Sequence, residues 1–225
     1  MTGHQLKTSR EARRWNQHQL AERLGVSQGY VSLLESDQRP LPARLVNRLA
    51  SLVDLPATAL PLRGNQPVDG DRATRALGTL GYDGFAYLRD DQQTNPAEVL
   101  LSTLGADHLD ARVVEALPWL VRNYADLDWD WVVPRAKQSD LQNRLGFVVA
   151  VARGLAEAGK DEPTATVLKA LEARLENSRL QKLDSFARSS LTRAEERWLQ
   201  EHSSPEAKQW NMLSTLSAGT ARHGG

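Results

Sequence analysis

Two eight-residue helical patterns that meet at a single glycine constrain this chain more tightly than any other feature. The first, Gln17-His18-Gln19-Leu20-Ala21-Glu22-Arg23-Leu24, sets Leu20, Ala21 and Leu24 on one face. Asn16 stands where an N-cap belongs, and Gly25 supplies the positive-φ residue that stops the helix and permits a tight turn. Val26 then packs inside the turn and Ser27 caps a second helix, Gln28 to Glu35, whose inward residues Tyr30, Val31 and Leu34 are spaced to meet the first. Upstream, a helix carrying Leu6 and Ala12 inward is expected, with Trp15 closing its end. The second helix is left with Gln28, Gly29, Ser32 and Leu33 facing outward.

A helix of this size enters a major groove by its amino-terminal end. On that docking Gln28 pairs with adenine N6 and N7, Ser32 donates or accepts, Leu33 covers a thymine methyl and Gly29 permits close approach. Amide groups at the start of the preceding helix, presented with Asn16 and Gln17, suit a phosphate. Ser27, Arg39 and Arg44 complete the expected phosphate contacts. The partner these residues point to is a double-stranded DNA operator.

The run Ser9-Arg10-Glu11-Ala12-Arg13 through Gln17, with Leu20-Ala21, Leu24-Gly25-Val26-Ser27, Val31-Ser32 and Glu35, resembles the Xre/phage-repressor (Cro/C1-type) helix-turn-helix family over about a quarter of the chain. The resemblance implies a five-helix lambda-repressor-like domain, a structural ion pair between Arg10 and Glu35, and a transcriptional regulator, commonly a repressor. Two departures stand out. Asp37 occupies a position where the family usually has glycine, and aspartate tolerates a left-handed turn better than most residues. The outward face of Gln28 to Leu33 holds no Arg or Lys, so the commonest guanine contact is missing.

Composition narrows the remainder. Of the 225 residues, 28 are basic and 28 acidic, so any affinity for a polyanion must be local. Residues 1–62 hold eight basic and five acidic side chains, +3, which leaves −3 for the rest. The chain has no cysteine, which excludes thiolate metal sites and disulfides and fits a reducing compartment. No apolar run approaches the roughly 20 residues of a bilayer span, and the start lacks a signal-peptide core. These features lead to an expectation of a bacterial cytoplasmic protein with no membrane contact.

The fold class expected is all-α. The divisions expected are a helix-turn-helix domain at 1–62, a linker and irregular segment at 63–94 rich in glycine and proline, a larger helical partner-binding or dimerisation domain at 95–218, and a disordered tail at 219–225. After a helix opened by Asn95-Pro96-Ala97-Glu98, further helices are expected near 109–124, 130–137, 139–158, 163–181, 192–201 and 205–216, the two longest forming an antiparallel hairpin.

In this second domain Asp126, Asp128, Trp129, Asp130 and Trp131 read as an acidic aromatic patch for a basic partner. The competing and favoured reading puts Trp129 or Trp131 in the core and makes Asp128 a helix cap. The five histidines never fall at ligand spacing, and no phosphate loop or nucleophile motif occurs, so no metal, cofactor or catalytic activity is expected. Three functions share this frame: an autorepressor acting as the antitoxin of a toxin–antitoxin module, a stand-alone repressor whose second domain senses a small molecule or drives assembly, and a protein-interaction scaffold that does not bind DNA. A homodimer is expected, because one such module reads about half an operator.

Overall fold

The computed structural model describes residues 3–53, 55–62, 64, 70–89, 93–107, 109–186 and 191–221. Among them all regular structure is helical, apart from one isolated parallel bridge between Asp184 and Met212. The chain divides into two units, Met1–Arg63 with Asp91–Asn95, and Gly64–Asp90 with Pro96–Gly225.

The first unit contains α1 (Gly3–Ala12), α2 (Gln17–Leu24), α3 (Gln28–Glu35) and α4 (Ala43–Val53). The fifth helical element is a single 3-10 turn, Ala57–Ala59. Leu6, Leu20, Ala21, Leu24, Val31, Leu34, Leu49, Val53 and Leu55 form the core, with Trp15, Val26, Tyr30, Leu41 and Leu52 packed around it. Burying each of these leucines contributes about 1.5–3 kcal/mol relative to exposure. The inward face of α1 differs from the expected one: Gly3, Leu6 and Arg10 are buried, while Ala12 is exposed. Gly3 lies so close to the end of α3 that a Cβ would overlap the carbonyl oxygens of Leu34 and Glu35. Asn95 belongs to this unit and donates from its amide to the carbonyls of Thr58 and Leu60, at 3.1 and 2.6 Å.

The second unit is arranged around one buried helix. It contains α5 (Gly70–Thr79), α6 (Pro96–Leu104), α7 (Ala111–Asn123), α8 (Trp129–Gln138), α9 (Gln142–Ala158), α10 (Glu162–Glu176), α11 (Arg193–His202) and α12 (Pro205–Gln209). From Leu141 to Ala152 every residue is buried, with α7, α8, α10 and α12 packed around α9. This all-round burial is the signature of an interior helix. The short connection Gly159–Asp161 returns α10 antiparallel along α9.

Polar groups at the start of α9 fasten distant loops to it. Arg144 donates to the Leu104 and Ser185 carbonyls at 2.7 and 2.8 Å, and from Nε and Nη2 to the Asp184 carboxylate, both at 3.2 Å. Asn143 accepts from Leu180 N–H at 2.8 Å and donates to the Leu180 carbonyl at 2.9 Å. That capture explains why α10 ends at Glu176 rather than near Gln181. Likewise α12 ends at Gln209 because the fully buried Trp210 ring lies flush on α9 at Gly146, where a Cβ would overlap it.

The expected irregular segment at 63–94 is corrected by α5 and by the 3-10 segment Asp83–Leu88. Ala73, Leu77, Tyr82 and Phe85 are buried in the second unit, Tyr82 meets the Trp119 ring edge-on at 5.2 Å, and Tyr124 Oη donates to the Leu80 carbonyl at 2.7 Å. Residues 65–69 of the expected linker lie outside the described residues. Of the expected disordered tail, residues 219–221 are part of a turn in which Ala221 N–H donates to the Ser217 carbonyl at 2.8 Å and Ala221 is buried; residues 222–225 lie outside the described residues.

Candidate nucleic-acid interface

α2 is fixed at its start by side chains and at its end by a left-handed glycine. Asn16 Oδ1 accepts from Gln19 N–H at 2.8 Å while Gln19 Oε1 accepts from Asn16 N–H at 2.9 Å, a reciprocal capping box. Gly25 closes the helix at φ 66, donating to Ala21 and Glu22. Ser27 Oγ then accepts from Tyr30 N–H at 3.2 Å and starts α3. Val31 and Leu34 anchor α3 in the core, and Gln28, Gly29 and Ser32 are exposed with Leu33 half-exposed. Open space surrounds Gly29: a Cβ there would meet nothing within 4 Å.

A chain of hydrogen bonds runs from the core to this face. Arg10 Nε and Nη2 donate to the two Glu35 carboxylate oxygens at 2.6 and 3.0 Å, and Arg10 Nη1 donates to the Trp15 carbonyl at 2.6 Å. Gln17 Nε2 donates to Glu35 Oε2 at 2.9 Å, and Gln17 Oε1 accepts from Gln28 Nε2 at 2.6 Å. Burial pushes the Glu35 carboxyl up, but the bonds from Arg10 and Gln17 outweigh it and hold the group below the ordinary glutamate range. The Arg10 guanidinium moves the other way, raised by its bond to Glu35 against the effect of burial. A buried ion pair therefore orients Gln17, and Gln17 orients the amide of Gln28.

Sequence reasoning assigned Gln17 to a phosphate and missed this relay. The signal was present: Gln17 lies three and four residues before Leu20 and Ala21, on the face of α2 that meets α3. Its backbone N–H, in the first turn of α2, is the part that remains suited to a phosphate. The other expected phosphate contacts are dispersed. Asn16 and Ser27 are exposed caps, Arg39 lies over the Tyr30 ring at 5.6 Å, and Arg44 is exposed on the first turn of α4. Asp37, in the glycine position of the resemblance, adopts φ 55 and accepts a hydrogen bond from Gly3 N–H.

The acidic aromatic segment is built into local structure. Asp128 Oδ1 accepts from Trp131 N–H at 2.9 Å and caps α8, and Trp129 Nε1 donates to the Ala125 carbonyl at 2.9 Å. Asp130 meets Arg174 at 2.8 Å, Arg135 lies over the Trp131 ring at 4.3 Å, and Asp126 is exposed. Trp129 and Trp131 are both half-buried. Among the described residues no group of three His, Cys, Asp or Glu side chains is placed to hold a metal ion, and no helix is long and apolar enough to cross a membrane.

No curated protein and no solved structure matches the chain. The family model for a helix-turn-helix domain matches residues 3–62, the segment that holds α1 to α4 and the relay from Arg10 to Gln28, and this part of the chain is a helix-turn-helix domain.

Proposed function

We propose that the protein is a sequence-specific double-stranded DNA-binding transcriptional regulator that reads its operator with Gln28, Gly29, Ser32 and Leu33. The observation that carries this reading is the Glu35–Gln17–Gln28 relay, which holds an exposed amide on the outer face of a core-anchored helix. Pre-oriented side chains lose little freedom on binding, and an amide held in this way suits bidentate pairing with adenine. Two copies reading half-sites about 34–36 Å apart would double the contacts.

The finer reading is an autorepressor that serves as the antitoxin of a toxin–antitoxin module. It is supported by the acidic balance of residues 63–225 and by exposed Asp126, Asp128 and Asp130 beside Trp129 and Trp131, a surface chemistry suited to a basic protein. In this reading the protein works in the bacterial cytoplasm.

Mobility shift on the protein's own promoter, with the neighbouring gene product present and absent, tests both levels. Gln28→Ala is expected to weaken binding and relax preference at one base position by about 1–3 kcal/mol. Unchanged affinity and preference in that variant would remove Gln28 from the reading set. No salt-sensitive shift by the folded wild type would overturn DNA recognition altogether, and failure to form a complex with an adjoining toxic gene product would remove the antitoxin reading.

A further inference from the structure

A concentration of positive charge adjoins the recognition helices. Between α1 and α2 the chain runs Arg13-Arg14-Trp15, and Arg23 folds back to it from the last turn of α2. The Arg23 guanidinium lies 4.3 Å from the Trp15 ring centroid and that of Arg13 5.9 Å from it. Arg23 also donates to the Gln19 carbonyl at 3.0 Å. All three arginines are exposed. Glu11 reaches Arg10 at 3.4 Å and Glu22 reaches His18 at 3.6 Å.

Arg14 sits at φ 56. That region disfavours a side chain, and glycine is the usual occupant of such a helix-ending position. An arginine here is a poor choice for the turn, and the strain directs attention to what its charge does. Arg14 precedes Gln17 by three residues, at most about 11 Å of chain, and Gln17 is bonded to Gln28 at 2.6 Å. A guanidinium that extends from this corner lies within reach of the phosphates beside any bases that Gln28 reads. The outer face of α3 itself offers no cation, so the electrostatic share of affinity, which dominates non-specific binding to duplex DNA, must come from elsewhere on the domain.

We propose that Arg13 and Arg23, over the Trp15 ring, and Arg14 at the adjoining turn form a clamp on the DNA backbone that flanks the base-read segment. This rests on the DNA-binding reading above and adds the residues that supply sequence-independent affinity. The clamp contacts phosphates only, so it contributes salt-dependent affinity and leaves base preference to α3.

The test measures affinity of the full chain for its selected operator across a series of salt concentrations. Arg14→Gly relieves the left-handed turn, so this variant is expected to melt at the same temperature as wild type or higher while binding more weakly. Its slope of log affinity against log salt is expected to be shallower by about 1. The combined R13Q/R14G/R23Q variant is expected to lose about three times that slope with base preference unaltered. An unaltered slope in the combined variant, while Gln28→Ala still relaxes base preference, overturns the clamp and leaves recognition by α3 standing. The clamp is likewise overturned if the combined variant loses only the binding of an acidic protein. If wild type selects no DNA at all, the recognition reading and the clamp both fall.

Discussion

Glu35 joins the stability of the first unit to the face proposed to read DNA. Its carboxylate accepts two bonds from Arg10 and one from Gln17, and it is buried with Arg10 beneath the surface that carries Gln28. The folded carboxyl titrates below its unfolded value, so its contribution to stability is complete above the unfolded pKa and is lost as pH falls through the folded one. The helix-turn-helix unit is therefore expected to keep its stability around neutrality and to lose it on acidification below about pH 4. Glu35→Gln removes that acid step and leaves the buried Arg10 with only the exposed Glu11, at 3.4 Å, as counter-charge, at a cost of up to about 3–5 kcal/mol near neutrality. Hydrogen exchange of the amides of residues 3–53 at several pH values measures both effects. A variant with wild-type protection at neutral pH and the same acid slope would show that the pair contributes nothing. The Arg10–Glu35 contact could be anticipated only through the family resemblance, since a spacing of 25 residues has no local periodicity to betray it.

At the scale of elements, chemistry that is local in sequence was the legible part. Asn16, Gly25 and Ser27 each satisfy backbone groups within a few residues of themselves, so α2 and α3 could be bounded from sequence. α5 could not: its buried face is Ala73, Leu77 and Gly78, too small an apolar stripe to stand out beside the glycines and prolines before it. Gly78 in particular looks like a breaker, yet it is inside a helix because the Phe85 carbonyl approaches where a Cβ would be. The same long-range logic governs Gly146. It lies in the middle of α9 and carries the Trp210 ring, a contact spanning 64 positions that no periodicity announces. In isolation a helical glycine replaced by alanine gains up to about 1 kcal/mol. Here the added methyl must displace a fully buried tryptophan, and overpacking of that kind costs about 1–3 kcal/mol. Gly146→Ala is thus expected to destabilise the second unit despite its better helix propensity. Denaturant unfolding followed by tryptophan fluorescence, to which the five tryptophans of the second unit contribute most, checks the sign, and a stabilised variant would mean that the ring is not seated on α9.

For the whole molecule, the two units differ in what holds them. The first has an apolar core bordered by the buried Arg10–Glu35 ion pair, whereas the second is centred on α9 and depends on polar anchors that join segments about 40 residues apart. Arg144 is the principal anchor. It connects the end of α6 at Leu104 with Asp184 and Ser185 from inside the core, where it and Asp184 are both buried. Arg144→Met keeps much of the volume and removes the guanidinium, which takes from Asp184 its buried cationic partner, a loss of about 3–5 kcal/mol. Units with separate cores unfold as separate cooperative blocks. In this variant the amides of residues 96–186 are accordingly expected to lose protection by that amount while those of residues 3–53 keep theirs. Mobility shift on the same sample then distinguishes two roles for the second unit. If it supplies only partner contacts, binding of a single chain to a half-site survives in Arg144→Met. If it brings two chains together on the operator, the two-chain complex is lost while half-site affinity remains. A uniform fall in protection across residues 3–186 would mean that the chain unfolds as one block and would overturn the two-unit account.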